Sequence, residues 1–116
     1  MDSASLIGRK VRVQVDRPLG SHHPKHGYIY PVNYGFVPGA LSGDGEELDA
    51  YVLGPSQPVE QFEGTCVAVI KRKSENDDKL VVVPPGTRLS KEDIRAMVSF
   101  QEQYFDSEIL LLCREE

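Results

Sequence analysis

Positive charge is in short supply in this 116-residue sequence: 13 lysines and arginines stand against 18 aspartates and glutamates, for a formal net charge of -5. A surface built for nucleic acid or for an anionic membrane wants a basic stripe, with aromatic residues interleaved for single strands, and there is none. A phosphate ligand is not excluded, because a local pocket and a bound cation can reverse the sign of the field. Cysteine is scarce too. The two present, Cys66 and Cys113, each lie within an apolar run, which points to reduced core residues and excludes a disulfide framework. Long hydrophobic runs are missing: the longest unbroken aliphatic stretch, 109–112, is far short of a membrane span. The opening Met1-Asp2-Ser3 carries neither a basic n-region nor an apolar h-region, so the expected location is cytoplasmic. Internal repeats, linkers and low-complexity segments are also missing. What remains, 40% apolar and 27% charged, is ordinary for a globular protein. The length suits one domain, 1–116, whose core needs no disulfide or metal staple.

Residues 10–16 alternate strictly, which predicts a strand with Val11, Val13 and Val15 on the core face and Arg12, Gln14 and Asp16 on the other. Pro18 and Gly20 end it. A polar loop, 21–27, leads to an aromatic segment, 28–36, where Pro31 argues against a regular central strand throughout. Short strands are predicted at 48–53, 65–72, 79–83 and 108–113. Ser90 is a good N-cap with Asp93 three residues on and Leu89 placed to staple onto Ile94, so a helix is predicted near 90–105. Its apolar face would carry Ile94, Met97, Val98, Tyr104 and Phe105. The pattern is mainly β, of the α+β class: a small, OB-like closed β-barrel of about five strands with one main helix near the C-terminus.

The chemistry-bearing residues begin at Asp44. In Asp44-Gly45-Glu46-Glu47-Leu48-Asp49, carboxylates at 44, 46 and 49 lie on a turn entering a strand, where side chains five apart can converge on one hard cation. Asp49 adjoins the apolar run 51–53, where a carboxylate is costly unless paired. A solvated Asp-Gly turn would look similar. Asp77 and Lys79, two apart at the start of an apolar strand, project from one face and suit a site holding both a metal and a phosphate. The loop His22-His23-Pro24-Lys25-His26 reads either as an exposed polar loop or as a source of phosphate contacts or a transition-metal ligand.

Two ordered motifs then resemble the soluble (family I) inorganic pyrophosphatases. Residues 30–38, Tyr-Pro-Val-Asn-Tyr-Gly-Phe-Val-Pro, match the family's Tyr-Pro-x-Asn-Tyr-Gly-Phe-x-Pro. Residues 44–49 match its Asp-Gly-Asp-Pro-x-Asp at the same spacing. The likeness extends over Val13-Gln14-Val15-Asp16, over Asp77-Asp78-Lys79-Leu80-Val81-Val82-Val83-Pro84, and over Phe100-Gln101-Glu102-Gln103-Tyr104-Phe105. The resemblance implies magnesium, with manganese as a substitute, held by Asp44, Asp49 and Asp77, and hydrolysis of pyrophosphate by a metal-activated water. Glu46 falls on the general base, an aspartate in the family, and with Asp49 forms the implied catalytic pair. Tyr34 and Tyr104 fall on tyrosines that touch phosphate, Lys79 on a phosphate-binding lysine and Arg12 on a substrate-contacting lysine. Tyr30 is placed with them.

The departures are informative. Gln14 replaces a glutamate, Phe105 replaces a phosphate-gripping lysine, and the family's early Glu-Ile-Pro segment has no counterpart. The arginine expected upstream of Tyr30 is replaced by Lys25, with Arg17 second. The first metal site is thus expected to be intact, with a thinned outer shell. The expected partner is a small-molecule phosphoanhydride, with neither nucleic acid nor membrane, and self-association is left open. Two other readings compete: a phosphohydrolase acting on a larger phosphoanhydride such as a nucleotide, and a non-catalytic phosphate- or metal-binding module on the same barrel.

Overall fold

A computed structural model of the chain describes residues 3–41, 45–73 and 78–111. After a 3₁₀ turn, Ser3–Leu6, come β1 (Lys10–Arg17), β2 (Asn33–Leu41), β3 (Glu47–Val52), β4 (Gln61–Arg72), β5 (Lys79–Val83), α1 (Lys91–Glu102) and β6 (Ser107–Leu111). The sheet runs β1-β2-β3-β5-β4-β6, and β1 also pairs with β4. Five strands therefore close into the OB-like barrel expected from the sequence, with β3 and β5 parallel and the other pairs antiparallel. The sixth strand lies outside the closure. The first part of β4 pairs with β1 and its last part, 68–72, with β6.

Alternation decides which residues go where. Val11, Val13 and Val15 enter the barrel interior with Leu48, Ala50, Val52, Cys66, Leu80 and Val82. The opposite faces of β3, β4 and β5 send out Tyr51, Ile70, Val81 and Val83, which α1 covers with Ile94 and Val98. Each strand of this wall is thus apolar on both sides, and β5 is buried at every position. The helix starts as predicted. Ser90 Oγ accepts the Asp93 N–H at 3.0 Å, and the Asp93 carboxylate accepts the Ser90 N–H at 3.1 Å. It ends at Glu102 rather than 105, so Tyr104 and Phe105 leave the helical face and lie in the turn that follows.

The aromatic segment becomes strand only from Asn33, beyond Pro31. Asn33 is fully buried, and its side chain ties two loops together. Oδ1 accepts the amides of Leu19 and Val59 at 3.0 and 3.1 Å, and Nδ2 donates to the Gln57 carbonyl at 3.0 Å. Gly35 is required by contact: a Cβ there would sit 2.0 Å from the Gln14 carbonyl oxygen of β1. The first sequence motif is therefore partly architectural, drawing β2 against β1 and anchoring the loop that forms one wall of the site.

Candidate active site

A cleft of about 870 Å³ opens where the ends of β1, β3 and β5 meet the loop 23–30 and the end of α1. Asp49 and Lys79 form its charged end. They are facing residues on the parallel strands β3 and β5, so the ladder itself brings them together across 30 positions of sequence. Lys79 Nζ lies 2.6 Å from Asp49 Oδ2; the lysine is 3% exposed and the aspartate 34%. The Tyr34 hydroxyl is hydrogen-bonded to Asp49 as well, and burial first, then the Asp49 charge, raise its pKa far above that of an ordinary tyrosine. A buried ammonium next to a half-open carboxylate leaves the carboxylate facing the cleft with fixed orientation.

Asp16, at the end of β1, lines the cleft too. Its pKa is raised, mainly by burial; Arg17 beside it pulls the other way, and the charge of Asp49 pushes it up further. Two carboxylates on neighbouring walls, each felt by the other, are an oxygen donor set of the kind a hard divalent cation takes. The donors present thus fit such a cation in kind. Asp44 and Asp77, the other two expected ligands, lie outside the described residues, and among the described residues no three His, Cys, Asp or Glu side chains gather as a ligand cluster.

The remaining expected residues divide. Tyr30, Tyr34, Lys79 and Tyr104 line the cleft. Arg12 does not. It is exposed on the outer face of β1, four residues before Asp16 and opposite Glu63 of β4, and at ~3.3 Å per strand residue that separation keeps it out of reach. Lys25 is exposed in the loop and is not among the lining residues, whereas Arg17, the second choice for the missing arginine, lines the cleft and donates to the Asp16 carbonyl. Glu46 is exposed at the approach to β3 and is not among the lining residues. The Tyr30 hydroxyl donates to Gln101 Oε1 at 3.0 Å, so its proton is not available to a phosphate.

That bond belongs to a buried network the sequence did not announce. Tyr28 also donates to Gln101 Oε1, at 2.8 Å; Gln101 Nε2 donates to the Tyr51 hydroxyl at 2.7 Å; and Tyr51 donates to Glu102 Oε2 at 2.6 Å. Arg72, on β4, clasps the same carboxylate through Nε at 3.2 Å and a terminal nitrogen at 2.8 Å. Its guanidinium lies 3.6 Å over the Phe105 ring and lines the cleft. The lysine that the resemblance implies at 105 is thus absent, but the same corner of the cleft holds an arginine from another strand. Burial first, then Glu102, raise the Tyr51 pKa well beyond the usual range. The signal for this network was present in the helix: Gln101 and Glu102 occupy the buried face set by Ile94 and Val98, where polar groups need partners. Two of the three histidines, His23 and His26, lie together, with ring centroids 4.7 Å apart, and line the cleft, whereas His22 does not. His23 Nδ1 accepts the amides of Lys25 and His26 at 3.0 and 3.1 Å and so shapes the loop, with its pKa lowered by burial first and then by His26.

The family model of the inorganic pyrophosphatases matches residues 8–108. The chain belongs to the inorganic pyrophosphatase family. The inorganic pyrophosphatase of Aeropyrum pernix is 40% identical over 76 residues, covering 62% of this chain and 40% of that protein. That of Haemophilus ducreyi is 33% identical over 110 residues, covering 82% of this chain and 63% of that protein. The chain thus spans less than two thirds of the length of these relatives. Among solved structures, the inorganic pyrophosphatase of Ehrlichia chaffeensis superposes with a TM-score of 0.70 at 19% identity, covering 91% of this chain and 88% of that one. The Helicobacter pylori enzyme does so with a TM-score of 0.62 at 22% identity, covering 88% and 81%. At those identities the superpositions speak for the barrel alone. Within this pyrophosphatase-family barrel, the cleft is at the mouth of the parallel β3–β5 pair. Among the described residues no helix is long and apolar enough to cross a membrane.

Proposed function

We propose that this chain hydrolyses inorganic pyrophosphate to two phosphates with the help of a divalent cation, magnesium by preference and manganese as a substitute. The observation that carries the reading is the Asp49–Lys79 pair, 2.6 Å apart at the charged end of the cleft. A carboxylate able to hold a cation and an ammonium able to hold a phosphate are joined there by strand register. Asp49, with Asp44 and Asp77 as the resemblance implies, would hold the cation, and Asp16 faces the same space. A divalent cation in such a site neutralises phosphate charge and lowers the pKa of water.

The chain's own groups supply the rest. Lys79 is aimed at whatever anion sits beside Asp49 and can exchange a carboxylate oxygen for a phosphate oxygen with little movement. Arg17 brings a guanidinium group to one flank, a fork suited to phosphate, while that of Arg72 is engaged by Glu102. Tyr34 and Lys79 hold Asp49 in place, so that little reorganisation is needed when charge develops. Glu46 is proposed as the base on the resemblance, and Asp16, whose raised pKa suits proton uptake, is a second carboxylate for that role. Comparing Glu46→Gln with Asp16→Asn separates the two by their effects on kcat.

The test is phosphate release from pyrophosphate by the purified chain with magnesium or manganese. Turnover that is abolished by chelation is expected. No release from pyrophosphate with either metal would sink the reading and favour a binding module.

A further inference from the structure

We propose that the cleft also takes phosphoanhydrides bearing a nucleoside, with the base lying against the wall formed by Tyr28 and Tyr104, and holds them more tightly than bare pyrophosphate. The inference rests on the proposed function in one respect, that the phosphates sit at the Asp49–Lys79 end.

The first argument is size and shape. A volume of about 870 Å³ lies toward the top of the range for pockets that enclose drug-sized ligands. Two phosphate groups sharing an oxygen occupy only a small part of it. The excess runs in one direction. From Lys79 it is 6.0 Å to the Tyr34 ring, then 5.5 Å from Tyr34 to Tyr30, 5.8 Å from Tyr30 to Tyr28 and 6.3 Å from Tyr28 to Tyr104. The rings form a row leading away from the charged end.

The second argument is chemistry. The far part of the row consists of His23, His26, Tyr28 and Tyr104. An inorganic polyphosphate extending along it would need cations, but Arg72, one of the two arginines lining the cleft, already clasps Glu102. Aromatic faces instead suit a planar, uncharged group, and base–aromatic stacking tolerates any base. The platform is rigid where it needs to be. Tyr28 is fixed by its hydroxyl on Gln101 at 2.8 Å and by edge contact with Phe100 at 5.9 Å and 76°. Its plane lies within 19° of Tyr104 and 9° of His26. Tyr104 is 65% exposed, an aromatic surface at the cleft mouth that a base would cover. The resemblance gives Tyr104 a hydroxyl contact to phosphate; the inference gives its ring a base.

Hydrolysis of such a substrate balances as for pyrophosphate. The water oxygen bonds to the terminal phosphorus, and that phosphorus parts from the bridging oxygen. The nucleoside phosphate leaves with the electron pair, and the water's proton passes to a cleft carboxylate.

The test measures binding rather than turnover. Methylenediphosphonate and its adenosyl ester share a bridge that water does not cleave and differ only in the nucleoside. Calorimetric titration of the whole chain with each, in the presence of magnesium, is expected to show the ester binding about tenfold tighter or more. Tyr104→Ala should bring the ester to within about threefold of its parent, whereas Tyr104→Phe should keep the preference. An ester bound no tighter than its parent overturns the inference, as does a Tyr104→Phe protein that behaves like Tyr104→Ala, which would assign the effect to the hydroxyl. Preference for the ester in a protein that releases no phosphate from pyrophosphate would defeat the proposed function and leave this inference standing. Pyrophosphate turnover without that preference would do the reverse.

Discussion

Asp49 is the residue on which stability and chemistry meet. Lys79 is buried to 3% exposure against it, so Asp49→Asn would leave an ammonium with its counter-charge removed. Because Asp49 is itself partly open to water, the cost should be about 1–3 kcal/mol. Urea unfolding is expected to show that loss together with abolished phosphate release, and Asp49→Asn combined with Lys79→Met should regain stability while remaining inactive. A second residue-scale prediction concerns alkali. Burial raises the Tyr30 hydroxyl from 10.0 to about 12 and the Cys66 thiol from 9.0 to about 11. Both groups fold more favourably in their neutral forms. The stability they contribute is fully present below their unfolded values and is lost as pH rises through the folded ones. Stability should therefore fall between about pH 9 and 12. Tyrosinate absorbance should lag behind that of the unfolded chain, and Cys66→Ala should remove the lower part of the decline. At this scale the sequence was legible where placement follows from strand position, as for Asp49 and Lys79, which were expected in one cavity and lie 2.6 Å apart. Arg12 misled because its residue type suited phosphate while its place along β1 did not. Arg72 was missed because nothing at the end of a strand tells that its partner is on a helix.

Among elements, α1 does more than cover the barrel. It carries Ile94 and Val98 into the apolar layer and then, one turn on, brings Gln101 to the cleft and Glu102 to Arg72 behind it. The Arg72–Glu102 pair is the bolt between α1 and β4, with side chains 7% and 6% exposed. Arg72→Ala would strand a buried carboxylate and should cost about 3–5 kcal/mol in denaturant unfolding. Arg72→Lys should restore only part, since an ammonium cannot reproduce the two-point grip. The existence of α1 and its start were readable from Ser90 and Asp93, and the alternation of β1 gave its faces. The end of α1 was not readable, because Tyr104 and Phe105 continue the apolar spacing; the chain turns there, and they serve the cleft instead. Residues 42–44 and 74–77 fall outside the described segments, so the expected ligands Asp44 and Asp77 remain sequence expectations.

For the whole molecule, a cation held only by the folded cleft must stabilise the fold. At a hundredfold excess over its dissociation constant the gain is about 2.7 kcal/mol, several degrees of melting temperature for a chain this size. Magnesium is expected to raise the melting temperature of the wild type and not that of Asp49→Asn, and a chelator should reverse it. The barrel class itself was legible from short alternating strands and one late helix. The order of its strands was not, because pairing β1 with β4 and inserting β5 between β3 and β4 depend on contacts no local pattern encodes. That insertion bears on how the protein is made. β5 is the last barrel strand to leave the ribosome, yet it completes the ladders of two strands synthesised before it. Until it emerges, β3 and β4 each present an open, apolar edge to solvent or to another nascent chain. The interval between the emergence of residue 72 and that of residue 83 from the ribosome is therefore one in which this small barrel is open to misassembly.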